Sequence, residues 1–249
     1  MEKIYTIPVN DAYDSDCECP LCDLKEKAEQ NFLDYYLGPS LMEPDTRKIT
    51  NKTGFCPHHM GMLNNSEAGR LGLGLMLHTH LKDIDADISK DIRDAIPDKA
   101  GLIKGRSSDY KAKLNKVADK IDRRVNMCPI CEKIDDSMAH YYDVIAWMFK
   151  HDPDFHKKFA NKSCCLPHTA ELLRAASKLS QNDAAEFLTV LADNNDKNIK
   201  TLTDDVEWFT LKFDYRNNDK PWGNSKNAIQ RTMRYLSSDR RDFDEQQRK

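Results

Sequence analysis

The chain has 249 residues, 39 % of them hydrophobic and 32 % charged, enough apolar material to build one large or two small domains. A formal net charge of -3 and a pI near 6.2 leave no basic footprint for a phosphate backbone, so nucleic acid is not the expected partner. The opening MEKIYTIPVNDAYD has neither the basic start nor the apolar run of a secretory signal, and no stretch is apolar over a membrane-spanning length. The expected compartment is the cytoplasm, with no membrane contact.

In chain order, the first feature is CECPLC at 17-22, three of the eight cysteines within six residues. Leu21, Leu24, Ala28, Phe32 and Tyr35 follow at helical spacing, and GPSLMEPD at 38-45 breaks the pattern. CPHHMGML opens a second helical run at 56. GRLGLGL at 69-75 has the look of a phosphate loop, but no strand precedes it and no Gly-Lys-Ser follows, so Gly69, Gly72 and Gly74 read as points of close helix approach. Leu77, Leu81, Ile84, Ile88 and Ile92 form the next stripe. Along it, His80, Asp83, Asp87 and Asp91 share a face; interleaved Lys82, Lys90 and Arg93 make this a solvated face rather than a metal site, and His80 borders the core. IPDKAGLIKGRSS at 96-108, with Lys104 and Arg106, reads as a linker. CPIC at 128-131 leads into Ile134, Met138, Tyr141, Ile145 and Met148; after KHDPD and SCCLPH come Leu188, Leu191, Leu202, Val206, Phe209 and Phe213. The pattern predicts an all-α protein of about eight helices. The tail SSDRRDFDEQQRK is charged and expected to fray.

A search for self-similarity is the most informative step. Cys19 and Cys22 recur as Cys128 and Cys131, and Cys56 and His59 recur as Cys165 and His168, all at an offset of 109. Pro20 with Pro129, Pro44-Asp45 with Pro153-Asp154, Lys48 with Lys157 and Leu63 with Leu172 keep the same register. The chain therefore reads as two tandem units: residues 1-100, a connecting segment 101-123, residues 124-210, and a C-terminal extension 211-249.

Each copy is CPxC, 33 residues, then CxxH. Three thiolates and one imidazole complete a tetrahedral set for Zn2+, and each CPxC or CxxH sits where a helix begins. The expected cofactor is zinc, two per chain, with each repeat stapled by its own Cys3His site closing its own loop. Iron, as a single ion or an iron-sulfur cluster, shares the ligand type. Dithiol redox chemistry would need a βαβ context that is missing. Cys17 and Cys164 lie outside the scheme, either as small packed side chains or as spare ligands and resolving thiols. His58 is set aside because its counterpart is Pro167.

The segment 207-236 is the most distinctive region outside the cysteines, with two tryptophans among polar residues. Asp214, Arg216, Trp222, Asn224, Ser225 and Lys226 are candidate ligand-binding residues for a small molecule or peptide, on a helix end, a loop, and a new helix capped by Asn224 or Ser225.

The stretches CPLC, GFCPHHMGML, LGLGLMLHTHL, CPIC and FDYRNNDKPWGNSKNAI together resemble a family of uncharacterised proteins of anaerobic bacteria. Some of its members carry the label of ABC transporter substrate-binding protein. The resemblance spans most of the chain and implies no established activity. The residues do not carry what an extracytoplasmic solute-binding protein needs, a signal or lipid anchor and alternating strands and helices.

The reading is a zinc protein with structural metals that acts as a binding or adaptor module for a protein or small-molecule partner still to be identified. Ligand-complete sites argue against zinc hydrolase chemistry. The alternatives are a thiol redox or iron-sulfur sensor using Cys17 or Cys164, and an enzyme whose pocket is formed by the C-terminal Trp/Asn/Lys segment.

Overall fold

A computed structural model describes residues 3-66, 69-97 and 109-238. The all-α class holds: among the described residues there is no strand. In order, the α-helices are α1 (Thr6–Asp14), α2 (Pro20–Leu37), α3 (Pro44–Thr53), α4 (Pro57–Asn65), α5 (Arg70–Ile84), α6 (Lys90–Asp94), α7 (Asp109–Asn126), α8 (Pro129–His151), α9 (Pro153–Ala160), α10 (Leu166–Ala176), α11 (Gln181–Leu211) and α12 (Ala228–Ser237). A π-helical turn, Asp85–Ser89, joins α5 to α6. The segmentation is finer than the sequence pattern suggested because prolines restart the chain: α2, α3, α4, α8 and α9 all begin on one. The starts of α2 and α8, of α3 and α9, and of α4 and α10 are each separated by the 109-residue offset. Lys104, Arg106 and the tail beyond Ser238 lie outside the described residues, and most of the connecting segment that is described belongs to α7.

Two compact units are present: residues 1-27 with 137-249, and residues 28-136. They differ from the tandem halves expected from the offset, because α2 and α8 each give their first turns to one unit and their remainder to the other.

The first unit is organised by aromatic side chains. Tyr13 of α1 meets Phe155 of α9 at 4.9 Å between ring centres, and Phe159 meets both Phe187 of α11 (4.9 Å) and Phe149 of α8 (5.2 Å). Such pairs add about 0.5–1.5 kcal/mol each beyond their area burial. Asp152 caps α9 by accepting from the N–H groups of Asp154 and Phe155, and Ser180 caps α11. The buried Asn194 of α11 donates to the carbonyls of Phe159 and Lys162, which satisfies the chain leaving α9. The buried face of α11 is thus Phe187, Leu191, Asn194 and Leu202; Phe213, expected on the apolar stripe, is 75 % exposed beyond the helix end.

After α11 the chain folds back around the ammonium of Lys212. This side chain is buried and donates to the carbonyls of Asn217, Asn218 and Lys220 at 2.7, 3.0 and 2.6 Å, 5.2 Å from the Trp222 ring centre. Lys212→Met removes the donor from three carbonyls at once and is expected to cost about 2 kcal/mol in urea unfolding, with a shift in tryptophan emission. A cost under about 0.5 kcal/mol would mean that water replaces the ammonium without loss. The turn Gly223–Asn227 then leads into α12 with no side-chain cap; Ser225 is fully buried and donates to the carbonyl of Trp222 instead of capping the helix.

In the second unit, α3 packs on α5, and the buried face of α5 is Gly72, Leu73, Met76 and His80. The expected stripe is displaced by about one residue, leaving Leu81 and Ile92 exposed, because His80 is drawn inward. Its ring Nδ1 lies 2.7 Å from the carbonyl of Asn51. The ring packs so close to Gly54 that a Cβ there would sit 2.5 Å from Nε2, and the φ of +64° at Gly54 is itself one that glycine favours. His80 is a core histidine. Asp83 pairs with Arg124, and Asp87 and Asp91 both pair with Lys120, so this acidic face is neutralised by α7. Gly69 and Gly72 do mark close approach, to Leu37 and Leu41, whereas Gly74 faces open space.

Candidate metal centres

The eight predicted ligands form two clusters, but not the pairing expected. Cys19 and Cys22 converge with Cys165 and His168, and Cys128 and Cys131 converge with Cys56 and His59. Each centre therefore takes its CPxC from one half of the sequence and its CxxH from the other. No centre closes the 33-residue loop inside a half. The first centre lies wholly within the first compact unit and the second wholly within the second.

The local reason is helical geometry. Cys19 immediately precedes α2, and Cys56 and Cys165 cap α4 and α10 with nearly identical backbone angles, φ -68° with ψ 161° and 160°. The carbonyls of Cys56 and Cys165 accept from the N–H groups of Met60 and Thr169, each at 2.9 Å. Each centre thus meets the first turns of two helices, whose unpaired N–H groups and dipoles favour thiolates.

Three sulfurs at about 2.3 Å and one nitrogen at about 2.0 Å around a tetrahedral ion lie roughly 3.5–3.8 Å apart. In the first centre, Cys19 and Cys22 lie 3.8 and 3.6 Å from Cys165 Sγ and 3.5 and 3.4 Å from His168 Nδ1. In the second, Cys56 and Cys131 are 3.7 Å apart, and His59 Nδ1 is 3.2, 3.3 and 3.3 Å from Cys56, Cys128 and Cys131. The S···S edges match a single tetrahedral ion, and the S···N edges, down to 3.1 Å between Cys165 and His168, are slightly shorter than the ideal. They are far longer than the bond of about 2.05 Å in a disulfide, and all eight cysteines are free.

Electrostatics make the same demand. Burial opposes ionisation of Cys128, but the hydrogen bond with His59 and the N–H groups of Cys56 and Cys131 outweigh it and bring its pKa down to about 6. Cys131 is pushed up by burial and by the charge of Cys128 beside it. In the first centre Cys19 is lowered: burial opposes it, while hydrogen bonds from Cys164, Cys165, Cys22 and His168 prevail. Cys22 and Cys165 are raised, chiefly by sharing hydrogen bonds with those thiols, Cys165 to about 12. One thiol of each cluster is favoured as a thiolate, and a divalent cation would let all three ionise together.

The centres differ in their surroundings. All four ligands of the first are buried, and a pocket of about 490 Å³, mouth included, reaches Cys19, Cys22 and Cys165 between Arg231, Arg234 and Tyr235 of α12. Arg231 is paired with Asp205 at 2.6 Å. In the second, Cys56 and Cys131 are half-buried, and Glu29 Oε1 lies 3.0 Å from His59 Nε2 and 2.8 Å from His58 Nε2. Burial works against the Glu29 carboxylate, yet the hydrogen bonds from His59 and His58 hold its pKa below the ordinary range. Glu29 escaped the sequence reading because its counterpart at the 109-residue offset is Met138, so the repeat gives no signal there.

A family model described as "Family of unknown function (DUF6062)" matches residues 1–242. The chain belongs to that family. No curated protein and no solved structure matches it. The DUF6062 description assigns no activity, so the chemistry rests on the geometry above.

In this DUF6062 chain the six C-terminal candidates do not line the pocket beside the first centre. Asp214 and Arg216 pair with each other at 2.5 Å, Trp222 packs against Phe209 and Lys212, Ser225 is buried in its turn, and Asn224 and Lys226 are exposed. The segment reaches the pocket through residues 231, 234 and 235 instead. Of the two extra cysteines, Cys17 is half-buried with its Sγ 3.6 Å from the carbonyl of Ala12. Cys164 is buried, and its hydrogen bond to Cys19 together with burial keeps it a neutral thiol. It is neither exposed nor lowered in pKa, as a reactive thiol must be.

Proposed function

We propose that this protein is a zinc protein holding two structural Zn2+ ions per chain, one in each compact unit, and that the units so stapled serve as a binding or adaptor module. The observation that carries the reading is the convergence of eight side chains from four helix starts into two sets with tetrahedral spacing. Each set supplies four donors and so leaves no position open for water or substrate, which favours a structural over a catalytic metal. All donor atoms of a set lie within 4.8 Å of one another, room for one ion rather than for several irons with their sulfides. A tetrahedral thiolate set also accepts a single iron, and zinc is preferred here because it is the usual ion of closed Cys3His sites. Eight unpaired cysteines suit a reducing compartment, which supports a cytoplasmic location. The module reading draws on Phe213 and Tyr215, which are 75 % and 81 % exposed and offer apolar contact area to a protein or peptide partner.

The test is elemental analysis with an absorption spectrum on protein purified without oxygen. Two zinc per chain and a colourless solution are expected. Iron with visible charge-transfer bands would replace zinc by iron in this reading, and protein that is folded yet binds no metal would overturn it.

A further inference from the structure

The two centres share a ligand set but differ in what holds the histidine. A metal-bound imidazole that coordinates through Nδ1 must carry its proton on Nε2, and that N–H needs an acceptor when buried. His59 is 2 % exposed, and Glu29 Oε1 stands 3.0 Å from its Nε2 while Nδ1 faces the three thiolates. His58 Nε2 meets the same oxygen at 2.8 Å. His168 is equally buried, yet among the described residues no carboxylate takes that place; the positions matching Glu29 and His58 are Met138 and Pro167.

We infer that Glu29 is a positioning residue for the second metal centre: it locks the His59 tautomer and strengthens the imidazole as a ligand, and His58 locks Glu29. The two centres are consequently inequivalent, with one metal braced by a carboxylate and the other, among the described residues, not. The braced centre is the one in which Cys56 and Cys131 are half-buried, whereas all four ligands of the first are buried. Outer carboxylates of this kind are worth about 10–100-fold in metal affinity. The inference rests on the metal-binding reading above.

The test uses the full chain loaded with zinc, challenged with a graded chelator and pulse-alkylated, with cysteine modification read peptide by peptide. Cys56 and Cys131 report the second centre, and Cys19 and Cys22 report the first within the same molecule. Glu29→Gln keeps the shape and a neutral acceptor; Glu29→Met installs the residue found at the matching position of the other half. Loss of zinc from the second centre should move to about 10–100-fold lower chelator in Glu29→Met. Glu29→Gln should fall between it and the parent, and the first centre should not shift. The His59 Nε2 proton, followed by NMR, should exchange faster in the same order, a change that mere loosening of the helix would not grade. If the parent holds no metal at Cys56 and Cys131, the metal reading itself is wrong. If it holds metal and neither the chelator midpoint nor the His59 proton moves in Glu29→Gln, the positioning role is wrong. Should Glu29→Met unfold, Glu29→Gln alone decides.

Discussion

Cys22→Ser combined with His168→Ala is expected to leave one metal ion per chain, and Cys22→Ser combined with His59→Ala none. Cys22 and His168 face each other at 3.4 Å, so either substitution breaks the first centre and the second has nothing further to remove. His59 belongs to the other set, so adding its loss breaks both. In unfolding experiments the first pair should be strongly non-additive, the double variant resembling either single one. The second pair should add to within about 0.5 kcal/mol, as independent sites do. If each half of the sequence bound its own metal the pattern would invert: Cys22→Ser with His59→Ala would leave one ion and Cys22→Ser with His168→Ala none. Metal content of the two double variants therefore separates the two pairings without any structure determination.

The second large effect concerns the halves themselves. Residues 1-100 and residues 124-210, produced separately, each carry a CPxC and a CxxH, yet neither should hold a tight metal ion, against two in the full chain. The obstacle is the stiffness of α2. His59 is docked beside Glu29, and Phe55 stacks edge-on against Tyr36 at 5.7 Å. Glu29 and Tyr36 lie 10 and 17 residues beyond Cys19, or roughly 15–25 Å along a helix. In the other half, the His168 ring lies 6.4 Å from Tyr142, which is likewise well along α8 from Cys128. To bring its own CPxC and CxxH together, a half would have to melt the helix between them. An isolated half that takes up one zinc with the affinity of the full chain and keeps its helicity would show that the helix is no barrier. Mixing the two halves and regaining metal would support the crossed pairing directly.

Chain entropy favours the local pairing, but only weakly. Joining Cys22 to Cys165 spans 143 residues and joining Cys56 to Cys131 spans 75, compared with the 33-residue loop inside a half. At about 0.6 kcal/mol per doubling of loop length, the longer closures cost only about 1 kcal/mol more. Structural zinc binding is worth on the order of 10 kcal/mol. The extra entropy is minor beside the cost of unravelling a packed helix, so the crossed arrangement prevails.

The candidate metal ligands were legible residue by residue. Cys19, Cys22, Cys56, His59 and their four counterparts announce themselves through donor type, CxxC and CxxH spacing and a common offset, all properties of the linear chain. The helical class was equally plain, since proline at helix starts and apolar spacing of three and four are local signals. Other features left no such trace. Glu29 is one acid among many until folding places it 3.0 Å from His59, and Lys212 is one lysine among many until three carbonyls surround it. The stripe ending in Phe213 misled because the helix stops at Leu211, where the chain turns back over Lys212.

What the sequence by itself determined, then, is which eight side chains form the two candidate metal clusters and that helices present them, because ligand chemistry and helix starts are written in adjacent residues. Which four come together was decided only by the tertiary structure. α2 and α8 each carry the chain away from the CPxC at their start, so the CxxH that meets each CPxC is the one more distant in sequence.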